Sequence, residues 1–246
     1  MTIFDIYVIN LDKDQNRLKE ITRHLHPNKF TRIPGIYGAD LNLENDKEFT
    51  KVCKYVTPKS AIGCTVSHKK AWSTFFQTSN KEYALILEDD AIPVNTNYMN
   101  ETELSIQNAP PDWDIIKLDY WPNYDDKYNN NFSLLLTAYI INKKCVEKNI
   151  TKKHNYHLDF DMQFYNLKIY NNPNKIFIQI WDDNNNSNNR KKKSYNPISY
   201  SYEVLNFKVI RIINAEFTLA ELILFLIIII IIYIILRLNS SNIFPI

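Results

Sequence analysis

The feature that most constrains the fold is an apolar run, Ala84 to Leu87, that stops abruptly at three consecutive acids, Glu88, Asp89 and Asp90. A strand covered on both faces is apolar throughout, so this run predicts a buried strand. Burying unpaired charge is too costly for the three acids to lie in the core. They are therefore expected at the carboxyl edge of the strand, where open α/β sheets bind their ligands.

Three adjacent carboxylates repel one another unless a cation or a proton lies between them. Oxygen ligands of this kind suit a hard divalent metal such as Mg²⁺ or Mn²⁺. The same spacing also fits a solvated acidic turn after a strand, because acid clusters mark functional sites only statistically. Spacing alone leaves both interpretations open.

The rest of the amino-terminal region alternates candidate strands with helical stretches, which predicts a single α/β domain over residues 1–181. Helical spacing joins Arg17, Leu18, Ile21 and Leu25 in one stretch. In a second stretch, which leads into the acidic strand, it joins His68, Trp72, Phe75 and Phe76. The candidate strands are residues 3–10, 30–38 with a turn at its end, 84–87, 113–118, 134–141 and 176–180.

Composition excludes several classes of function. The 246 residues suffice for one ordinary domain plus extra segments. The net charge of +2 gives no global field that would attract nucleic acid. With 3 glycines, the chain has no glycine-rich phosphate-binding loop. The 3 cysteines contain no C-x-x-C, which argues against a disulfide framework or a zinc knuckle.

Two further pairs of residues carry possible chemistry. Cys64 and His68 are four positions apart on the predicted helix, but two ligands do not make a metal site, and a helix histidine is more often structural. Asp159 and Asp161 flank the apolar Phe160. From the residues alone, they fit two surface acids as well as a catalytic pair.

Several segments in a fixed order resemble glycosyltransferase family 25, which includes lipooligosaccharide and procollagen galactosyltransferases. Each segment is short, but together they span roughly the first 145 residues in the family's order. The segments are Tyr7-Val8-Ile9-Asn10-Leu11 with Arg17, Phe30-Thr31-Arg32-Ile33, Gly38-Ala39-Asp40-Leu41, Gly63-Cys64-Thr65-Val66-Ser67-His68 with Trp72, Leu85-Ile86-Leu87-Glu88-Asp89-Asp90, Trp113-Asp114-Ile115-Ile116 and Thr137-Ala138-Tyr139-Ile140-Ile141.

The resemblance implies a GT-A-like fold, a Rossmann-like mixed sheet flanked by helices. It also implies a hexosyltransferase that inverts configuration as it moves a hexose, most often galactose, from a UDP-sugar to a hydroxyl of a glycan or protein acceptor. In that family pattern Glu88, Asp89 and Asp90 correspond to the metal motif, with Mn²⁺ or Mg²⁺ as the cofactor. The metal there offsets charge that develops on the departing diphosphate.

The resemblance also assigns donor-binding residues. Asn10 and Arg17 correspond to positions near the nucleotide, whereas Ser67 and His68 correspond to positions near the sugar or diphosphate.

An inverting transfer needs one carboxylate that removes the proton of the acceptor hydroxyl. The family has an acidic residue in a similar stretch after the Tyr139 strand, which implies Asp159 or Asp161 and leaves the choice between them open.

The carboxyl-terminal part of the chain departs from the family. Residues 182–216 are rich in Asn and Lys and predict a low-complexity linker and juxtamembrane segment. Residues 217–236 read FTLAELILFLIIIIIIYIIL, long enough to cross a bilayer core of ~30 Å, so they predict a transmembrane helix before a short tail, residues 237–246. Basic residues concentrate before this helix. By the positive-inside rule, we expect a single-pass membrane protein with a carboxyl-terminal anchor in the lipid bilayer and a catalytic domain that faces the cytoplasm.

Three functions follow as hypotheses. The first is a metal-dependent, membrane-anchored glycosyltransferase. The second is a degenerate, non-catalytic domain that binds a nucleotide-sugar or a partner at a membrane. The third is a phospho-receiver domain, because Asp119 ends another candidate strand, although the lysine pattern expected downstream is missing.

Overall fold

The computed structural model describes residues 2–44, 46–122, 127–179, 205, 208–212 and 215–241. The chain divides into two compact units, residues 1–181 and 182–246. The elements of the first unit are β1 (Phe4–Asn10), α1 (Gln15–Leu25), β2 (Thr31–Pro34), a 3-10 helix (Gly38–Asp40), α2 (Lys51–Val56), α3 (Lys59–Thr78), β3 (Tyr83–Glu88), β4 (Ala91–Pro93), α4 (Tyr98–Asn108), β5 (Ile115–Lys117), β6 (Ala138–Asn142), α5 (Lys143–Asn149), α6 (Leu158–Phe164), β7 (Ile169–Asn171) and β8 (Phe177–Gln179). Those of the second unit are β9 (Lys208–Ile212), β10 (Ala215–Thr218) and α7 (Leu219–Ser241).

A mixed sheet forms the centre of the first unit, with the strand order β2-β1-β3-β6-β5-β7. Strand β1 pairs in parallel with both β2 and β3, and β5 pairs in parallel with β7. Strand β6 runs antiparallel to its two neighbours, β3 and β5. The predicted mixed α/β, GT-A-like architecture fits this sheet, in which β6 alone of the six strands reverses direction.

Both faces of the sheet are buried, which explains why its strands are apolar rather than alternating. On one face, Val8 and Leu85 pack against Ile21 of α1. On the other face, Ile86 packs in a cluster with Trp72 of α3 and Val146 of α5. The sheet therefore lies between two helical layers, and its polar groups concentrate at the strand ends.

Helix α3 begins at Lys59, so Gly63 lies inside it and not at its amino terminus. The glycine is explained by close packing of backbones. A Cβ at Gly63 would lie 2.6 Å from both the amide nitrogen of Gly38 and the carbonyl oxygen of Ile36. This approach fixes the first turns of α3 against the segment that follows β2.

The prediction of a transmembrane helix is wrong, and with it the predicted single-pass membrane localisation with a cytoplasm-facing domain. Within the described part of the chain, no helix combines the length and the apolar character that crossing a bilayer demands.

The segment predicted as a linker contains regular structure at its end. Strand β9 pairs with β10 in an antiparallel hairpin directly before α7. Most of the predicted linker, residues 182–204, lies outside the described residues, as does the end of the predicted tail, residues 242–246.

Candidate active site

The tips of β1 and β3 form the floor of the candidate site. The two strands are parallel, with Ile9 opposite Glu88, so Asn10 and Asp89 emerge side by side at the same edge. Both are buried, and the Asn10 amide nitrogen donates to the Asp89 carboxylate over 2.7 Å. The side-chain oxygen of Asn10 accepts from Nε of Arg32 over 2.9 Å. Asn10 is thus held in a fixed orientation and presents a donor to the acid cluster.

Helix α1 supplies a cation to the same cluster. The Arg17 guanidinium lies 3.0 Å from a carboxylate oxygen of Asp89 and 3.4 Å from one of Asp90. Burial would lower the pKa of Arg17, but the charges of Asp90 and Asp89 outweigh this effect and raise it. Arg17 therefore offsets part of the negative charge of Asp89 and Asp90 at this edge of the sheet.

Asp90 has one carboxylate oxygen without a partner. Its Oδ2 accepts from the side-chain amide of Gln179 over 3.0 Å, whereas its buried Oδ1 has no hydrogen-bond partner among the described residues. Burial, together with the charges of Glu88 and Asp89 and against the charge of Arg17, raises the pKa of Asp90 to about 7. Burial likewise raises the pKa of Asp89.

These oxygens fit a hard divalent cation. Burying a carboxylate oxygen without a hydrogen-bond donor destabilises the folded protein. A bound metal ion would provide a partner for that oxygen, and its positive charge would also favour the ionised form of Asp90. Asp89 and Asp90 offer carboxylate oxygens, the ligands that Mg²⁺ and Mn²⁺ prefer.

Glu88 faces a different set of groups. His68 Nε2 lies 3.1 Å from its Oε1, and Cys64 Sγ lies 3.8 Å from the same oxygen. Burial raises the pKa of Glu88, but the hydrogen bond from His68 and further nearby cations outweigh it, and the net shift is downward. Burial and the charge of Glu88 raise the pKa of Cys64 well above its ordinary value.

A buried chain of hydrogen bonds holds His68 in place. Its Nδ1 lies 2.9 Å from the Tyr139 hydroxyl, which accepts from Nε1 of Trp72 over 2.8 Å. All three residues are buried. The ring therefore has a fixed orientation, with Nε2 directed at Glu88.

The hydroxyl of Ser67, the residue before His68 on α3, forms hydrogen bonds with backbone groups. Its hydroxyl donates to the Gly63 carbonyl over 2.7 Å and accepts from the Ile36 amide over 2.8 Å. The residue is buried, so its contribution here is to the packing of α3 against the segment after β2. A contact between Ser67 and the donor stays a prediction.

Asp159 and Asp161 have separate environments. Asp159 accepts from the buried Lys117 ammonium over 3.1 Å and from the Leu135 amide over 2.6 Å. The backbone amide of the preceding residue, Leu158, donates to the Thr65 hydroxyl over 3.1 Å, so the start of α6 contacts α3 one residue from Cys64.

Asp161 lies in a different set of contacts. It accepts from the backbone amides of Asn155 and Tyr156, and it pairs with His154 at 3.3 Å. Asp161 thus stabilises the loop before α6, and both of its carboxylate oxygens have hydrogen-bond donors within that loop.

Three residues of the site were not assigned from the sequence. Lys117 is fully buried in the apolar strand β5, and this position in an apolar run is the signal that could have found it. The sequence gives a weaker indication that Gln179 and Cys64 belong to the site, since neither a glutamine nor a single cysteine marks a functional site on its own. Asp119, two residues after the end of β5, pairs with Lys175 at 3.3 Å, and burial raises the pKa of Asp119.

Comparison with protein families gives one match. Residues 3–174 match the family described as Glycosyltransferase family 25 (LPS biosynthesis protein), which covers more than half of the chain. No curated protein is similar enough to the chain to count as a match.

Among solved structures, 17 chains are similar. A protein from STIV has 11% identity and a TM-score of 0.43, over 80% of this chain and 100% of that one. A glycosyltransferase involved in the glycosylation of the major capsid of PBCV-1 has 12% identity and a TM-score of 0.34, over 59% of this chain and 62% of that one. A mutant of a Drosophila galactosyltransferase in complex with manganese, UDP-Gal and xylobiose has 11% identity and a TM-score of 0.36, over 80% and 79%.

Proposed function

The chain belongs to glycosyltransferase family 25 and is a glycosyltransferase, and from this premise we propose a metal-dependent, inverting transfer of a hexose from a UDP-sugar to a hydroxyl acceptor. The observation that carries the metal dependence is the buried Asp90 oxygen without a donor, next to Asp89 and Arg17. Galactose and the UDP carrier rest on the family resemblance alone, because a few pocket contacts decide sugar specificity.

Asp89 and Asp90 are the residues that would hold Mn²⁺ or Mg²⁺. The bound ion would supply positive charge against the departing diphosphate. Asn10 fixes the orientation of Asp89 through the 2.7 Å hydrogen bond, and Arg17 is a second cation within reach of the same anion. These two residues therefore support the predicted contact with the nucleotide end of the donor, with Arg17 free to exchange a carboxylate partner for a phosphate.

We assign the general base to Asp159. It lies at the start of α6, which contacts α3 one residue from Cys64, whereas both oxygens of Asp161 are engaged by backbone amides and by His154. Lys117 and the Leu135 amide hold the Asp159 carboxylate in one position. Leu135 has a φ of 81°, a left-handed conformation that is costly for a leucine and typical of functional sites. Asp159 would accept the proton of the acceptor hydroxyl as the new bond forms.

Glu88 and His68 border the same site from the side of α3. The contacts with His68 and Cys64 direct one oxygen of the Glu88 carboxylate towards α3. In this proposal Glu88 shapes the sugar side of the site, and His68 holds Glu88 in position. The predicted roles of Glu88 as a metal ligand and of His68 as a donor contact stay predictions.

The test is turnover of UDP-sugars by the purified chain, with UDP release as the readout, in the presence of Mn²⁺, of Mg²⁺ or of a chelator. We expect release from one UDP-hexose, UDP-galactose first, that requires the metal and increases when a hydroxyl acceptor is added. Asp90→Asn should abolish it, and the matched variant of the exposed Asp40, Asp40→Asn, should not.

A non-catalytic binding domain gives a different pattern in the same experiment. It would bind UDP in a metal-dependent way without releasing it from any sugar donor. Release that is equal with metal and with chelator would contradict the proposed metal dependence.

A further inference from the structure

We propose that Cys64, His68 and Glu88 form a second cation site, separate from Asp89 and Asp90, that takes a thiophilic divalent ion such as Zn²⁺. The ligand atoms of these three residues all lie within 4.8 Å of one another. Among the described residues, no other set of three or more His, Cys, Asp or Glu side chains comes together in this way.

The fold brings the three ligands together for simple reasons. Cys64 and His68 are four residues apart on α3, so their side chains project from one face of the helix, one turn apart. Glu88 ends β3 and directs its carboxylate at that face. Two ligands from one helix and one from a strand tip give a rigid arrangement that needs no loop rearrangement.

The distances are close to those of a tetrahedral zinc site. Bond lengths of about 2.0 Å to nitrogen and oxygen and 2.3 Å to sulfur place the ligand atoms roughly 3.3 to 3.6 Å apart. Two of the observed separations are 3.1 Å between His68 Nε2 and Glu88 Oε1 and 3.8 Å between Cys64 Sγ and the same oxygen. Each differs from the tetrahedral value by a few tenths of an ångström, and the third separation, between the ligand atoms of Cys64 and His68, is within 4.8 Å.

Neighbouring residues support His68 as a ligand. Metal-bound histidines usually have a partner for their other ring nitrogen, which fixes the ring. Here that partner is the Tyr139 hydroxyl at 2.9 Å, itself held by Trp72. The Tyr139 oxygen can accept from Nδ1–H as well as from Trp72, which leaves the Nε2 lone pair for the ion.

The proton balance of binding is simple. The metal-free hydrogen bond to Glu88 has the imidazole proton on Nε2, and binding moves it to Nδ1. The Cys64 thiol becomes a thiolate and releases one proton to solvent. No electron is transferred, and Glu88 exchanges its hydrogen bond from His68 for a bond to the ion.

The ligand types separate this site from the neighbouring one. A thiolate and an imidazole select Zn²⁺ over Mg²⁺ or Mn²⁺, whereas Asp89 and Asp90 offer oxygen alone. The Glu88 side chain is 26% exposed, so an ion can reach the site from solvent. Three protein ligands leave the fourth position of the ion open to water.

The experiment uses Co²⁺ as a spectroscopic substitute for Zn²⁺, because cobalt bound to a thiolate gives an intense charge-transfer absorption. We expect the band with the full chain at one equivalent of Co²⁺, its loss on addition of Zn²⁺, and its persistence in excess Mg²⁺. Cys64→Ser should abolish the band and weaken Zn²⁺ binding at least tenfold. Cys145→Ser, at a buried cysteine outside the cluster, is the matched control and should retain both.

A second measurement needs no variant. Zn²⁺ should protect Cys64 of the unaltered protein from alkylation by a small thiol reagent, read by peptide mass spectrometry, and Mg²⁺ should not. Absence of the cobalt band, its retention in Cys64→Ser, or equal alkylation of Cys64 with and without Zn²⁺ would each overturn the proposal. None of these readouts involves sugar transfer, so they are independent of the proposed function.

Discussion

Replacement of Asp90 by asparagine should make the metal-free protein more stable at neutral and alkaline pH. Burial raises the pKa of Asp90 from 3.8 to about 7 in the folded state. A carboxyl group whose pKa is raised in the folded state contributes its full stabilisation below pH ~4, where it is protonated in both states. This contribution to the free energy of unfolding decreases as the pH rises and is lost above pH ~7. Asparagine keeps an acceptor for Gln179 and has no charge to desolvate.

The magnitude follows from the pKa difference. One pKa unit corresponds to about 1.4 kcal/mol, so ionisation of Asp90 costs the folded protein roughly 4 kcal/mol in total. Between pH 5 and pH 8, the wild type should lose about 2 to 3 kcal/mol relative to Asp90→Asn.

The assay is urea unfolding of both proteins at several pH values in the presence of a chelator. Other groups titrate in both proteins, so the informative quantity is the difference in unfolding free energy between the wild type and the variant. That difference should grow from pH 5 to pH 8 and then level off. Asp40→Asn, at an exposed aspartate, should show no such growth. A constant difference for Asp90→Asn would refute the conclusion that burial of this carboxylate is costly.

Four further predictions follow from the site and the packing around it. Asp159→Asn should lower transfer by about 10² to 10⁴-fold while UDP affinity changes little, measured by steady-state kinetics and by titration with UDP. Asp161→Asn should instead lower the thermal midpoint, because the loss of a buried charged acceptor weakens the loop before α6. Gly63→Ala should destabilise the protein by about 1 to 3 kcal/mol, since its Cβ would lie 2.6 Å from the Gly38 nitrogen; a denaturant midpoint equal to that of the wild type would contradict this. Tyr139→Phe should cost about 1 to 3 kcal/mol by the same measurement, because a buried indole N–H loses its acceptor.

The first strands and the acid cluster could be predicted from the sequence for physical reasons. Strand β3 has both faces buried, so its apolar run and its sudden end at Glu88 are visible in the residues alone. Helix α1 has the spacing of an amphipathic helix, with Ile21 and Leu25 buried. Such local patterns show which residues are buried. Because burying unpaired charge is costly, they also indicate that the three acids lie at the edge of the sheet.

Strand β6 shows where local patterns stop being sufficient. The apolar run predicted a strand from residue 134, but the strand begins at Ala138. Leu135 takes a left-handed conformation and donates its amide to Asp159, a residue 24 positions away. The contact that delays the start of the strand is a tertiary one, and no property of the run itself encodes it.

The choice between Asp159 and Asp161 has the same origin. The two acids are equivalent in sequence terms, and only the buried Lys117 on one side and the amides of Asn155 and Tyr156 on the other tell them apart. The sequence also did not indicate Glu88 as the proposed third ligand beside Cys64 and His68. Glu88 lies at the end of β3 and meets these two residues of α3 only in the folded protein.

The most direct test of the central claim is titration of the protein with UDP by calorimetry, with Mn²⁺ and with a chelator, for the wild type and for Asp90→Asn. The account predicts that UDP binds to the wild type only when Mn²⁺ is present and that Asp90→Asn abolishes this metal-dependent binding while remaining folded. UDP binding of equal strength in the variant, or in the wild type without metal, would contradict it.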